Sequence, residues 1–296
     1  MSEVQSSAGE RASAARPQRA ERVEGQERHP GIDPTVRMFE KDWMEKLSHV
    51  YPWVPHAIYV PVVVWMIWRG ADAGLGGWQV AGLFVVGGVV WSAVEWVLHQ
   101  FVFHEIADDD VEMAVKRKVA QLDPDQPIVS NLEGWREKFF FVAHGVHHHF
   151  PADPKRLVMP PSVSVPLAVA FFFLFDAVLG ATVTPPFFAG FLTGYLFYDS
   201  FHYAIHFIRP GGRLEALMYR LGKGHMRHHF SDPDKDYGVS TPIWDLLLGT
   251  YDEEEKAQFW PERALWRHPE KWTPDESLEE SLDDLDVRSR EPRVSR

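Results

Sequence analysis

Four runs of apolar residues, each near the length needed to cross a bilayer, restrict this chain before anything else is read. They cover about Trp53 to Trp68, Trp78 to Phe103, Val163 to Val183 and Phe187 to Phe207. A crossing helix needs about 20 predominantly apolar residues, and in hydrocarbon the backbone must satisfy its own polar groups, so each run is read as a helix. The first is short and contains Pro55 and Pro61. Only Thr184-Pro185-Pro186 separates the third from the fourth, which predicts an antiparallel hairpin with a tight turn there.

The charges between the runs orient them. Lys116, Arg117, Lys118, Arg136, Lys138, Lys155 and Arg156 lie in one central stretch, further basic residues stand in the N-terminal arm and after 208, and the two short turns hold only Arg69. By the positive-inside rule both termini and the central stretch face the cytoplasm. Upstream, Phe39, Trp43, Leu47 and Val50 recur at helical spacing among charges, as in a helix lying in the membrane interface. The expected fold class is an all-α integral membrane protein, with four transmembrane helices and a cytoplasmic helical cap. No signal peptide is expected.

Three regions follow from composition. Residues 1–36 are rich in Ser, Ala, Arg and Glu and are expected to be a disordered arm. Residues 37–251 form the membrane domain. Residues 252–296 carry 14 acidic and 8 basic side chains, half of the formal net charge of -12, and form an acidic tail. That overall charge disfavours a nucleic-acid partner. No cysteine is present among the 296 residues, so disulfides, thiolate-ligated zinc, iron–sulfur clusters and a thiolate nucleophile are excluded.

Ten of the 15 histidines fall into four clusters: His99 and His104; His144, His147 and His148; His202 and His206; His225, His228 and His229. With the predicted topology all ten converge on the cytoplasmic face. Ionisable groups at that depth are rare unless they serve a site. Residues three and four apart share a helix face, so each HxxHH triplet can point together, as can His202 and His206. His99 and His104 are five apart and do not share a face of an ideal helix; either the helix unwinds there or the two bind different metals. His149 turns away from His144, and His29, His49, His56 and His268 stand alone, so all five are left out.

Imidazole suits iron, zinc, copper and nickel, and ten imidazoles are too many for one ion. Two metal ions with several histidines each are the natural division. Bound histidines usually give their other ring nitrogen to an acceptor, and Glu95 and Asp199 stand at helical spacing from His99 and from His202 and His206. Arg156 either holds a lipid headgroup or carboxylate or is an ordinary cytoplasmic charge. Tyr198 and Tyr203 flank the ligands of the fourth crossing and are candidates for substrate contact. Zinc can take such a site in a purified sample, given how well it competes for nitrogen ligands.

Two other classes of protein put histidines in membranes. A bis-histidine haem cytochrome needs only two facing histidines per haem, not HxxHH motifs in loops. A metal transporter needs ligands spread through the membrane depth, whereas these gather on one side.

The segments EWVLHQFVFH (95–104), HGVHHHFPADPKRLVMPP (144–161), YDSFHYAIHF (198–207) and GHMRHHFSDPDKDYGVSTPIWDLLLGTY (224–251) together resemble the membrane fatty acid hydroxylase superfamily. They look most like its fatty acid 2-hydroxylase branch. The resemblance implies a dinuclear site, expected to be iron, with all ten histidines as ligands. It also implies hydroxylation of a fatty acyl chain beside its carboxyl or amide carbon, with dioxygen as co-substrate. Asp245 matches the family tail and is a candidate for orienting a ligand. Desaturases and sterol or carotenoid oxidases share the HxxHH pattern and stay open as alternatives. The first 36 residues are too short for the cytochrome b5-like domain of many eukaryotic members, so a separate electron donor is expected, b5-like or ferredoxin-like. The stretch from His104 to His144 is longer than is usual in the family.

Overall fold

Two helices that approach backbone to backbone organise the molecule. The computed structural model describes residues 36–107, 109–122, 126–208 and 212–252, and it is helical throughout, with no strand among them. The expected disordered arm and most of the acidic tail lie outside the described residues. The chain opens with α1 (Asp42–Ser48), shorter than the predicted amphipathic stretch, followed by α2 (Val54–Asp72) and α3 (Gly77–Val97). Helix α3 runs on without a break into a π-helical segment, Leu98–His104. After α4 (Asp109–Ala120), α5 (Ile128–Asn131) and α6 (Trp135–Phe140) comes a second π-helical segment, Phe141–Gly145, leading into α7 (Val146–His149). The long helices α8 (Pro161–Leu179), α9 (Thr184–Phe207) and α10 (Gly212–Phe230) and the short α11 (Ile243–Leu248) complete the order.

Helix α9 is the central post. Its contact with α3 is the most extensive in the molecule, followed by that with α2. Glycine allows it: a Cβ at Gly87 would overlap the Phe187 carbonyl oxygen, and one at Gly190 would overlap that of Phe84. Small residues of this kind let membrane helices close to backbone contact. Around that seam Trp91, Phe191 and Tyr195 meet edge to face, with ring centroids 5.1 to 5.3 Å apart. Helix α8 leaves Phe173, Leu174 and Val178 exposed, an apolar outer face suited to lipid.

Of the four predicted crossings, two, Gly77–His104 and Pro161–Leu179, are long and apolar enough to span a membrane by length and composition. Helices α2 and α9 are as long, but α2 ends in Arg69 and Asp72, and α9 carries Asp199 and two histidines. The predicted turn between the last two crossings is displaced. Helix α8 stops at Leu179, Gly180 takes φ 81°, and Thr184-Pro185-Pro186 form the first turn of α9. Proline is favoured in a first helical turn, where its missing N–H has no helical partner to lose.

Candidate metal centre

The helix ends bring the ten clustered histidines together as two groups of five. His99, His104, His144, His148 and His228 form one, and His147, His202, His206, His225 and His229 form the other; within each, one ligand atom per residue lies within 4.8 Å of all the rest. The groups adjoin, with the His148 and His229 rings stacked 4.3 Å apart. His149 belongs to neither. It is partly buried beside Phe141 and Phe150, and desolvation followed by the charge of Lys116 pushes its pKa down to about 4.

The π-helical turn answers the puzzle of spacing. In an α-helix residues five apart point roughly 140° away from each other, but a π-helix bonds i to i+5. The Glu105 amide donates to the Gln100 carbonyl oxygen at 2.9 Å in that pattern, and the rings of His99 and His104 stand 5.2 Å apart in the same group. The helix does not unwind, and it brings both histidines into the same group. In the second π segment the Val146 amide reaches the Phe141 carbonyl oxygen, and Phe103 stacks on the His144 ring at 5.1 Å.

Each HxxHH motif is split, contrary to the expectation that its three histidines point together. His144 and His148, four apart, join the first group while His147 faces the second; His225 and His229 join the second while His228 faces the first. The two halves therefore exchange one histidine. The ligand-capable nitrogens are close: His144 Nε2 lies 3.0 Å from that of His99 and 2.8 Å from that of His148, and His225 Nε2 lies 3.1 Å from His206 and 3.0 Å from His229. The Nε2 atoms of His104 and His228 and the Nδ1 atoms of His225 and His229 are buried without a hydrogen-bonding partner among the described residues. Burial, then the neighbouring imidazoles, holds His144, His147, His148, His225, His228 and His229 well below the ordinary imidazole pKa, as neutral nitrogen donors.

The remaining predicted residues sit around this centre. Glu95 is buried and bonds the far loop rather than a histidine: its Oε1 accepts the Val239 amide at 2.9 Å and the Ser240 amide at 2.8 Å, and its Oε2 accepts the Ser240 hydroxyl. Asp199 likewise accepts a backbone amide, that of Met159. Asp245 accepts Trp96 Nε1 at 3.0 Å, the Tyr237 amide at 2.9 Å and the Gly238 amide at 2.8 Å. It acts at one remove, because the Tyr237 carbonyl oxygen meets His99 Nδ1 at 2.5 Å. That carbonyl and the one at Lys235, 2.8 Å from His228 Nδ1, escape sequence reasoning because a backbone oxygen has no residue type.

Beside the two groups lies a cavity of about 630 Å³, walled mainly by apolar side chains. Helix α1 contributes Trp43, Met44 and Leu47, the stretch around the second π segment contributes Phe139, Val142 and Ala143, and the start of α8 contributes Val163. Its inner wall includes His144 of the first group and His147 and His202 of the second, together with Tyr198 and Asp199. Arg156 also lines it, but its guanidinium is engaged by the Val36 carbonyl oxygen at 2.7 Å, Ser48, Glu45 and His49, which pins α1 over the cavity. Tyr203 packs on Phe207, Val50 and Leu157 instead and is not part of the cavity wall.

A sequence model of the fatty acid hydroxylase family matches residues 84–250, more than half of the chain and all ten clustered histidines. The chain belongs to the fatty acid hydroxylase family. It is 31% identical over 214 residues to a dihydroceramide fatty acyl 2-hydroxylase of Arabidopsis thaliana, covering 72% of this chain and 79% of that protein. With the fatty acid 2-hydroxylase of Mus musculus it shares 30% identity over 77% of its own length and 59% of the mouse protein. A solved structure of full-length Scs7p, with only the hydroxylase domain visible, superposes with a TM-score of 0.58 at 31% identity, covering 71% of this chain and 70% of that one. This family member is a fatty acid 2-hydroxylase-like oxidoreductase with a histidine-rich site able to hold metal.

Proposed function

We propose that the chain hydroxylates a fatty acyl chain at the 2-position, using two metal ions, expected to be iron, held by the two groups of five histidines. The observation that carries this reading is the cavity that ends on members of both groups at once. The residues fit metal. Imidazole nitrogens 2.8 to 3.1 Å apart have the separation of neighbouring corners around an ion with bonds of about 2.1 Å. Orphaned buried nitrogens have the electron pairs such an ion would take. Five histidines per group also exceed what a bis-histidine haem uses.

When bound, the metals supply the activation of dioxygen, with two electrons delivered by a separate donor protein. The chain does the rest. Apolar walls hold the acyl tail and exclude water, and Tyr198 and Asp199 border the end where the polar carboxyl-side group and the reacting carbon would lie. Arg156 serves by holding α1 in place. We further propose that α2, α3, α8 and α9 all cross the membrane, with the histidine ends, the cap of shorter helices and both termini on the cytoplasmic side. Lys116, Arg117, Lys118, Arg136 and Lys138 on that side support the orientation. Residues 37–251 act as one catalytic domain, flanked by the arm of residues 1–36 and the tail of residues 252–296.

The test is expression of the chain, and of His148→Ala, in a host whose lipids lack hydroxylated acyl chains, with a redox donor supplied. Tandem mass spectrometry of the acyl pool reads the position of any added oxygen. Oxygen on the carbon beside the carboxyl, present with the natural chain and absent with the variant, is the expected result. New double bonds or oxidised sterol in its place would overturn the choice of reaction.

A further inference from the structure

The first histidine group has a backbone clamp that depends on one residue in an uncommon conformation. Asp236 is the only described non-glycine residue with positive φ, at 57°. Left-handed backbone disfavours most side chains, and Asp and Asn tolerate it best. The carbonyls on either side of Asp236 hold two members of the same group: Lys235 O meets His228 Nδ1 at 2.8 Å, and Tyr237 O meets His99 Nδ1 at 2.5 Å. A carbonyl can only accept, so each ring must carry its proton on Nδ1 and present a bare Nε2. The second group shows the contrast, since Nδ1 of His225 and of His229 has no partner.

The buried side chain of Asp236 secures its own conformation. Its Oδ2 accepts Arg227 Nε at 2.9 Å, its Oδ1 accepts the Asp252 amide at 3.3 Å, and its own amide donates to the Thr250 carbonyl oxygen at 2.9 Å. Arg227 lies on α10 next to His228, so the anchor and the clamped ligand share one helix turn.

We infer that Asp236 is a positioning residue for one metal ion only: its left-handed turn aims the carbonyls of Lys235 and Tyr237 at His228 and His99 and so sets the tautomers of these two members of the first group. This rests on the two-metal reading above. Orientation of this kind commonly changes metal affinity 10- to 100-fold, and here the change is confined to one of the two ions.

The experiment compares Asp236→Asn, Asp236→Ala and Asp236→Val in the full chain, purified in detergent, with bound metal counted by mass spectrometry at limiting metal. Asn keeps the left-handed turn and an acceptor and retains two ions. Val opposes the turn and retains one, with Ala between, which keeps the test usable if Val does not fold. Combining Asp236→Ala with His104→Ala removes no more metal than His104→Ala alone, whereas combining it with His206→Ala removes metal from both groups. Two ions retained by Ala and Val alike, or even loss from both groups, overturns the inference. Fewer than two ions in the natural chain overturns the two-metal reading instead.

Discussion

His147 and His228 occupy exchanged places: each is the second histidine of an HxxHH motif, and each sits among ligands from the opposite half of the chain. His147 Nε2 lies 2.9 Å from His202 Nε2, and the His228 ring packs 4.5 Å from His99. Each group draws four histidines from one half of the chain and one from the other, so under the proposed two-metal reading each ion would cross-link the halves. Expected losses of metal therefore follow groups rather than motifs. His147→Ala with His206→Ala should cost one ion, and His147→Ala with His144→Ala should cost both, counted per chain by mass spectrometry. Interacting sites are non-additive and independent ones add, so loss that follows the motifs would refute the grouping.

Glu95 gathers the loop after α10 onto the end of α3 through two amides and a hydroxyl. Glu95→Ala orphans buried donors, at about 1–3 kcal/mol for each group left unsatisfied. Glu95→Gln keeps an oxygen for the two amides and should cost less, about 1 kcal/mol. Thermal unfolding in detergent checks the order Ala, Gln, natural chain from least to most stable. Equal melting of all three would show that the loop is held by other means.

The seam between α3 and α9 makes a stability prediction that needs no metal. Gly87→Ala and Gly190→Ala each force a methyl into a facing carbonyl, and overpacking of this kind typically costs 1–3 kcal/mol or more. A Cβ at Gly82 meets nothing within 4 Å, so Gly82→Ala should be neutral or gain about 0.5–1 kcal/mol from helix propensity. Detergent melting curves of the three variants decide it. A Gly190→Ala protein as stable as the natural one would mean that the helices stand further apart.

Much of this centre is legible in the sequence because it is built of histidines, and histidine clusters are conspicuous between apolar runs. Their allocation is not. Spacing places His144, His147 and His148 on one broad face, but the folded chain divides that face between two histidine groups. His99 and His104 defeat α-helical reasoning because the extra residue per turn is absorbed by a π segment that no residue type announces. Glu95 and Asp199 draw attention as acids in apolar helices, yet they accept from Ser240 and from backbone amides of distant loops. The position of a proline pair is legible, whereas its role as the start of α9 depends on where Gly180 lets α8 end.

Acid should loosen the metal-free protein. His144, His147, His148, His225, His228 and His229 are held below the ordinary imidazole value of 6.5 in the folded chain by burial and by one another. Once pH falls below that value, the unfolded chain binds protons that the folded chain refuses, so stability is present above it and declines as pH falls. Each such group contributes up to about 1.4 kcal/mol per pH unit in that window. Melting of chelator-stripped protein at about pH 7.5 and about pH 5.5 tests the sign. A midpoint unchanged between them would mean that these imidazoles are not buried as a set.

Helix α1 forms part of the cavity wall. Met44 lines it from the helix that Arg156 pins. A larger side chain there shortens the space for an acyl tail without touching a histidine or a bond of Arg156. Met44→Trp should therefore leave the metal count unchanged and move the hydroxylated products toward shorter chains. Chains that no longer fit should lose their product altogether, and shorter ones should lose little. The acyl profile of cells expressing each protein reads this by mass spectrometry, with bound metal measured on the same preparations. A uniform fall across all chain lengths would mean that Met44 supports the position of α1 and that the tail runs elsewhere.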